Sequence, residues 1–393
     1  MLSERLQQLL TTYEQEMIEL RRHFHENPEL SFEEVETPKT IAAFHRALGH
    51  EVTEGVGGNG VVAKLHGNKP GKTVALRADF DALAITEETA LPFQSKVKGR
   101  MHACGHDGHT AALLILAKAL NAMQEDICGT IVFIHQHAEE LAPGGAKAMI
   151  EAGCLDGVDA IYGIHLWATT ELGRVETTPG PIMAAADGIY VTIQGKGGHG
   201  ASPHDTKDSI VIAAQFITNL QQLVARRVNP LKPAVVSIGH IEALNPFNVI
   251  ADSVYMKGTV RTLDEETRDQ LEFEIEELLK ATCYLTKAEY QYKYNRGYPP
   301  VVNHQEHAQA ILNAAQKLPI VTETAICEPN MGGEDFAYYL QHVPGAFAFV
   351  GAKNPEWTEV YPHHHPKFDI DERSLCIAAN VLGQTALDFL QQR

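Results

Sequence analysis

The stretch MHACGHDGHT, Met101 to Thr110, carries one cysteine and three histidines cut by two glycines. Thiolate and imidazole are donors that suit zinc or a similar divalent ion. Cys104 and His106 stand two apart on a glycine-loosened segment, so both can turn to one centre before a helix begins. Read alone, the same residues also make a helix start, with Asp107 as N-cap and Gly105 and Gly108 as turn residues. The rest of the chain supplies more of the same chemistry. VALRAD runs into Asp79 and Asp81, TIVFIHQ into His137, Glu139 and Glu140, and AIYGI into His165; AFAFVGA is followed, after a loop, by His363, His364 and His365. Taken singly, His165 is an ordinary polar residue, the two glutamates a solvated pair and the aspartates turn caps. Ligands of open α/β sheets bind beyond the carboxyl ends of the strands, so these side chains are expected at one edge, a coincidence that independent structural roles do not explain. A structural zinc site would fill four positions with Cys and His. Here carboxylates are left over, which points to catalysis. Adjacent side chains at a strand end point to opposite sides, so Glu139 and Glu140 need not do the same job.

The elements that must position these groups follow from periodicity. From Lys72 onward, the apolar runs TVALRAD, TIVFIHQ, AIYGIHL and AFAFVGA predict buried strands. TAALLILAKALNAM and ERSLCIAANVLGQTALDFL predict helices with an apolar stripe. The alternation implies an α/β layer with a largely parallel sheet. The N-terminal LSERLQQLLTTYEQEMIELRRHF reads as one charged amphipathic helix. From Asp187 the order changes: strand IYVTIQGKG, helix DSIVIAAQFITNLQQLVARR, strands AVVSIGHIEAL and SVYMKGTVRTL, acidic helix EETRDQLEFEIEELLKATC and strand AEYQYKYNRG. This β-α-β-β-α-β order is that of a ferredoxin-like unit. The expectation is a two-domain α/β chain: a discontinuous domain of residues 1–184 and 299–393, and an inserted domain of residues 185–298 bounded by the Pro- and Gly-rich TPGPIM and GYPP.

Composition narrows the function. At 393 residues two domains are the natural size, and 44% hydrophobic residues is globular and far from disorder. A net charge of −18 argues against nucleic acid, whose binding needs clustered Lys and Arg. No apolar run reaches the roughly 20 residues of a spanning helix, so the reading is a cytoplasmic protein with no membrane partner. Cys104, Cys128, Cys154, Cys283, Cys327 and Cys376 show no paired spacing and are expected to be reduced thiols.

The stretches RRHFHENPELSFEE, LRADFDAL, MHACGHDGHT, HQHAEE, GIHLW, GKGGHGASPH, GTVRT, GGEDF and HHHPKFDID, in this order, resemble the M20 metallopeptidase family. Within it they are most similar to the amidohydrolase branch of hippurate hydrolase, N-acetyldiaminopimelate deacetylase and plant auxin-conjugate hydrolases. The resemblance covers essentially the whole chain. It implies a zinc-peptidase-like catalytic domain holding two divalent ions (Zn, Mn, Co or Ni) and an inserted lid that commonly makes a dimer. By motif position it assigns Cys104, His106, Glu140, His165 and His364 as metal ligands and Glu139 as general base. Asp81 becomes the carboxylate behind the metal site, and His199 the lid histidine that reaches the reaction centre, often from a neighbouring subunit. Ala84 stands where the branch usually has proline, and LWATTELG after His165 lacks the usual proline; neither removes a ligand.

The expected activity is hydrolysis of the amide bond of N-acyl amino acids by a homodimer or dimer-based oligomer. Arg261 of GTVRT and Asn248 of FNVIADS are the candidates to hold the substrate carboxylate, since a guanidinium grips a carboxylate through two parallel hydrogen bonds; the alternative for Arg261 is an ion pair with Asp264. A dipeptidase is the close rival, with Glu334 and Asp335 receiving a free amino group. A silent metal-binding scaffold would lack a base or a ligand, and none is missing. A structural zinc protein or a thiol redox protein fits less well, because there is no C-x-x-C.

Overall fold

The computed structural model describes residues 2–392. Two compact units divide the chain: residues 2–182, 302–328 and 335–392 form one, and Met183–Val301 with Pro329–Glu334 the other. Pro329–Glu334, expected in the discontinuous domain, joins the second unit because Asn330 bridges Met183 and the Ala184 N–H donates to the Gly332 carbonyl at 2.9 Å. Among the described residues no helix is long and apolar enough to cross a membrane.

An eight-stranded sheet organises the first unit, in the order Glu51–Val56, Gly60–His66, Cys128–Gln136, Lys69–Asp79, Ala160–Glu171, Gly345–Lys353, Arg174–Thr177, Glu323–Ile326. It is mixed: the four strands read from the sequence form the expected parallel centre, and antiparallel strands are added on either side of them. The four central strands run parallel, but Glu51–Val56 and Gly60–His66 form a hairpin that adds antiparallel to Cys128–Gln136, and Arg174–Thr177 pairs antiparallel with Gly345–Lys353. The hairpin escapes sequence reading because EVTEGV, charged and exposed at most positions, lacks an apolar run. The N-terminal helix is also two, Leu2–Thr12 and Glu14–Glu26, broken at Tyr13.

Helix His106–Asn121 is buried along nearly all its length, packed among Glu14–Glu26, Arg373–Gln391 and the sheet, so it is apolar on every face. Its glycines have separate duties. Gly105 is the N-cap at φ 93°, a left-handed turn that only glycine takes without strain. Gly108 lets the helix approach Leu166 and Leu375; a Cβ there would stand 2.7 and 2.8 Å from their methyl groups. Asp107 is therefore no N-cap. It lies in the first turn, buried, accepting from Arg21 Nε at 2.9 Å and pairing with His25 Nδ1 at 2.8 Å.

In the second unit a four-stranded antiparallel sheet runs in the order Ala234–Glu242, Ser253–Thr262, Ala185–Gln194, Glu289–Tyr298. Strict alternation along Ala185–Gln194 turns Ile189, Val191 and Ile193 toward helices Ser209–Gln222 and Glu265–Thr286. Asp208 and Asp264 cap those helices, accepting from first-turn N–H groups. Asp187, on the buried face, accepts from Arg268, the Tyr294 hydroxyl and the Gly297 N–H, which satisfies a charge that would otherwise be costly.

A directed chain of polar groups crosses the first unit's core. Asn121 donates its amide to the Leu48 carbonyl, so its Oδ1 accepts from His50 Nε2. His50 Nδ1 then accepts from His45 Nδ1 at 2.9 Å, His45 Nε2 from His135 Nε2 at 2.9 Å, and His135 Nδ1 from the Thr110 hydroxyl at 2.8 Å. Every ring is satisfied as a neutral imidazole. Burial drives His45 down to about 2 and His135 to about 3, and lowers His50. The unfolded chain binds these protons near pH 6.5 and the folded chain does not, so this contribution is complete above that pH and lost as pH falls below it, by about 1.4 kcal/mol per pH unit for each of His45 and His135. In ¹⁵N-histidine NMR, His45 should keep a neutral Nδ1–H signature, and His135 a neutral Nε2–H signature, down to about pH 5.5. Protonation of His45 or His135 with a midpoint near 6.5 would contradict the chain.

Candidate metal centre

Cys104 precedes the helix at Gly105, His106 opens it, and His165 lies inside strand Ala160–Glu171, which begins at the expected AIYGIHL and runs on past it. Glu139 and Glu140 follow strand Cys128–Gln136, and His364 sits in the loop after Gly345–Lys353 at φ 66°. The fold brings all of these together. Donor atoms of Cys104, His106 and His165 lie within 4.8 Å of one another, as do those of Cys104, Glu140 and His364, and those of His106, Glu139 and Glu140.

Glu139 and Glu140 do not diverge as strand neighbours would. Pairing ends at Gln136, and Ala138 takes φ 52°, so the pleat no longer governs and both carboxylates reach toward His106. Their difference lies in what each faces. Glu140 Oε1 is 3.8 Å from His106 Nε2 and its Oε2 is 3.3 Å from His364 Nε2. Cys104 Sγ is 3.4 Å from His165 Nε2.

Each imidazole is aimed from behind. His106 Nδ1 donates to Asp81 Oδ1 at 3.2 Å, and His165 Nδ1 donates to the Leu166 carbonyl at 2.9 Å, so both Nε2 lone pairs point inward. Asp81 is held in turn by the Ser31 hydroxyl at 2.7 Å and the Glu140 N–H at 3.0 Å. His109, absent from the sequence reading, is the third histidine of the motif. It donates Nδ1–H to Asp79 at 2.6 Å and accepts the Leu166 N–H on Nε2 at 2.9 Å. With both nitrogens used it is a clamp on the His165 strand and not a ligand; its spacing of three from His106 puts both on one helix face, the only sequence signal available. Asp335 is equally committed, to Arg77, Gln136 and the Ala146 N–H, and has no capacity left for a substrate amine.

These residues fit divalent metal. Ligands about 2.0–2.3 Å from a tetrahedral ion stand about 3.3–3.8 Å apart, the spacing seen here. His106 Nε2 and Glu140 Oε1 are buried with no hydrogen-bond partner, a costly state for a polar atom with no other use. The field also calls for a cation. Burial opposes protonation of His106, yet Asp79, Asp81 and Glu140 outweigh it and hold the imidazole up at about 10. Burial, with Glu140, Glu139 and Asp79, pushes the Cys104 thiol well above its ordinary value, so a thiolate requires a compensating positive charge.

In the second unit, His199 is exposed on a two-residue strand whose partner, Val249–Ile250, directly follows Asn248; the Gly200 N–H donates to the Asn248 carbonyl at 2.9 Å. His199 Nδ1 accepts the Ala201 N–H at 3.1 Å, leaving Nε2 outward. Arg261 is half-buried on strand Ser253–Thr262, donating to Thr259 Oγ1 and to the Val260 carbonyl. The alternative pairing with Asp264 does not form: that carboxylate takes Thr267 and Lys232.

The family model of peptidase family M20/M25/M40 matches residues 75–388. The chain belongs to this family. It is 43% identical over 386 residues to the N-acetyl-L-cysteine deacetylase of Bacillus subtilis, covering 97% of this chain and 90% of that one. It is 42% identical over 391 residues to thermostable carboxypeptidase 2 of Saccharolobus solfataricus, covering 99% of each. A solved Bacillus subtilis structure, described as a dinuclear metal-binding peptidase of the M20 family, superposes with a TM-score of 0.84 at 36% identity, covering 98% of this chain and 100% of that one. The protein is thus a metal-dependent hydrolase of amide bonds.

Chelation should lower Tm by several degrees and reloading with Zn²⁺ should restore it, as expected when an ion binds only the folded state, and Cys104→Ala should bind less Zn²⁺ by elemental analysis. Full metal content in Cys104→Ala would remove the thiol from the centre.

Proposed function

We propose that this chain hydrolyses N-acyl amino acids to a carboxylic acid and a free amino acid, with Cys104, His106, Glu140, His165 and His364 as the residues that would hold two divalent ions. The observation that carries the reading is a single cluster of five donors with a sixth group, Glu139, beside it and buried. The similarity to a deacetylase of N-acetyl-L-cysteine supports an N-acyl substrate. When bound, paired ions supply Lewis-acid polarisation of the scissile carbonyl and bring the pKa of water toward about 7. Glu139 takes the proton of the attacking water and passes it to the leaving amine. Asp81 and His109 keep the imidazoles oriented throughout. Thiolate among the ligands favours zinc over manganese, cobalt or nickel.

The second unit is proposed as the lid and dimerisation domain of a ferredoxin-like type, in a homodimer or dimer-based oligomer. His199 is the donor for the developing oxyanion and Arg261, with Asn248, the receptor for the amino acid carboxylate. Arg261 fits that duty: its guanidinium is half-buried, and among the described residues it has no carboxylate in ion-pair contact. The similarity to a carboxypeptidase favours one rival, removal of the C-terminal residue of a peptide. Against a dipeptidase, Asp335 is already spent on Arg77 and Gln136.

A panel of N-acetyl, N-benzoyl and indole-acyl amino acids beside unblocked dipeptides decides between them. N-acyl amino acids should give kcat/KM at least about tenfold above dipeptides, a difference of about 1.4 kcal/mol in transition-state binding; the reverse order would establish the peptidase. Arg261→Lys should lower kcat/KM on N-acyl amino acids about a hundredfold while leaving their amides nearly unchanged. Equal losses would show that Arg261 supports the fold instead.

Glu139→Gln should keep its metal, measured by elemental analysis, and lose about three orders of magnitude or more in kcat, because an amide cannot accept the proton. Glu140→Gln should lose metal. The same metal loss in both variants would end the division of labour between them.

A further inference from the structure

The turn that carries Glu139 is held by its neighbours' backbone. Ala138 sits at φ 52°, the left-handed region that a residue with a Cβ adopts only under steric strain. Its N–H donates to Glu34 Oε1 at 2.9 Å, and its carbonyl accepts the Gly145 N–H at 3.1 Å. Glu34 is itself buried, 2% exposed, and Asn59 Nδ2 donates to its other oxygen at 2.9 Å. On the far side of Glu139, the Glu140 N–H donates to Asp81 Oδ2, which also takes the Ser31 hydroxyl. Glu139 therefore hangs between two peptide groups anchored on carboxylates, and one short segment, Ser31 to Glu34, provides the first anchor and braces the second.

We infer that Glu34 is a positioning residue for the reaction: its carboxylate holds Ala138 in the left-handed conformation and thereby aims the Glu139 carboxylate. The inference rests on the reading of Glu139 as general base. Nothing in the metal set requires Glu34, which touches none of the five ligands in a hydrogen bond. A relaxed Ala138 would return to negative φ, turning the peptide that leads into Glu139 and displacing its carboxylate. Misplacement of about 1 Å at a reacting group is enough to cost about a hundredfold in rate. The carboxylate also explains why alanine is tolerated where glycine would take the same φ unaided.

The test is a double-mutant cycle on metal-loaded enzyme, reading kcat, KM, metal content and Tm for Glu34→Ala, Glu34→Gln, Ala138→Gly and the pair Glu34→Ala with Ala138→Gly. Glu34→Ala should lower kcat about tenfold to a hundredfold with KM and metal content nearly unchanged. Glu34→Gln keeps an acceptor for the Ala138 N–H, with Asn59 free to turn its amide, and should recover most of that rate. Ala138→Gly should restore part of the rate lost in Glu34→Ala, since glycine holds the conformation without the anchor. The inference is overturned if Glu34→Ala keeps wild-type kcat, if Glu34→Gln is as impaired as Glu34→Ala, or if glycine at 138 leaves the Glu34→Ala defect unchanged. Should Glu34→Ala fail to fold, the same coupling is measured by Glu34→Gln with and without Ala138→Gly: any kcat defect of Glu34→Gln must shrink when 138 is glycine, and a Glu34→Gln enzyme that folds, keeps its metal and stays as slow with glycine overturns it. Full turnover in Glu139→Gln would instead remove the base assignment, whatever the Glu34 variants show.

Discussion

Asp79 ends a central strand that is buried from Val74 onward, and a charge at that place has no water to solvate it. The chain answers with partners on every side. Arg77, two residues back on the same face, reaches Asp79 and Asp335; His109 donates to it from the buried helix, and His106 Nδ1 stands 3.8 Å away. Arg77 Nε donates to Gln136, whose amide donates to Asp335. The result is one connected set of buried charges under the metal centre, fully paired, in which no member can shift without stranding another.

From this base the site's geometry follows. His109 passes the constraint from Asp79 to the Leu166 N–H and so fixes the strand that presents His165. Asp81, one side-chain alternation further on, does the same for His106 and for the backbone of Glu140. The donors are thus held in place by groups whose own atoms are already engaged in hydrogen bonds, which keeps soft and hard ligands at metal-sharing distances despite their mutual repulsion. Strain collects here as well: Phe32, Ala138 and His364 are non-glycine residues at positive φ, and two of them lie at or beside the proposed base and ligands.

The proposed substrate groups are on the second unit, which has its own core and its own buried ion pair, Asp187 with Arg268.

Much of this was legible in residue order. The gathering of donor-type side chains, the strands TVALRAD and TIVFIHQ, the apolar helix after Gly105 and the β-α-β-β-α-β order after Asp187 follow from local pattern, because periodicity and donor chemistry are properties of short segments; the choice of ligands among the donors came from the family resemblance. What only tertiary structure decided are the matters of pairing and competition. The antiparallel hairpin at Glu51–His66 is a choice of neighbour that a charged edge strand does not announce. The parting of His106 from His109, two histidines of one motif, depends on which carboxylate each meets, Asp81 or Asp79. The convergence of Glu139 and Glu140 depends on one left-handed residue whose partner, Glu34, is 104 positions away. Asp335 and Asp107 look available in sequence, and each is consumed by a buried guanidinium, Arg77 or Arg21. A sequence names the groups that can do chemistry; which of them remain free to do it is settled by long-range hydrogen bonds, since a buried polar group belongs to whichever partner the fold brings within about 3 Å of it.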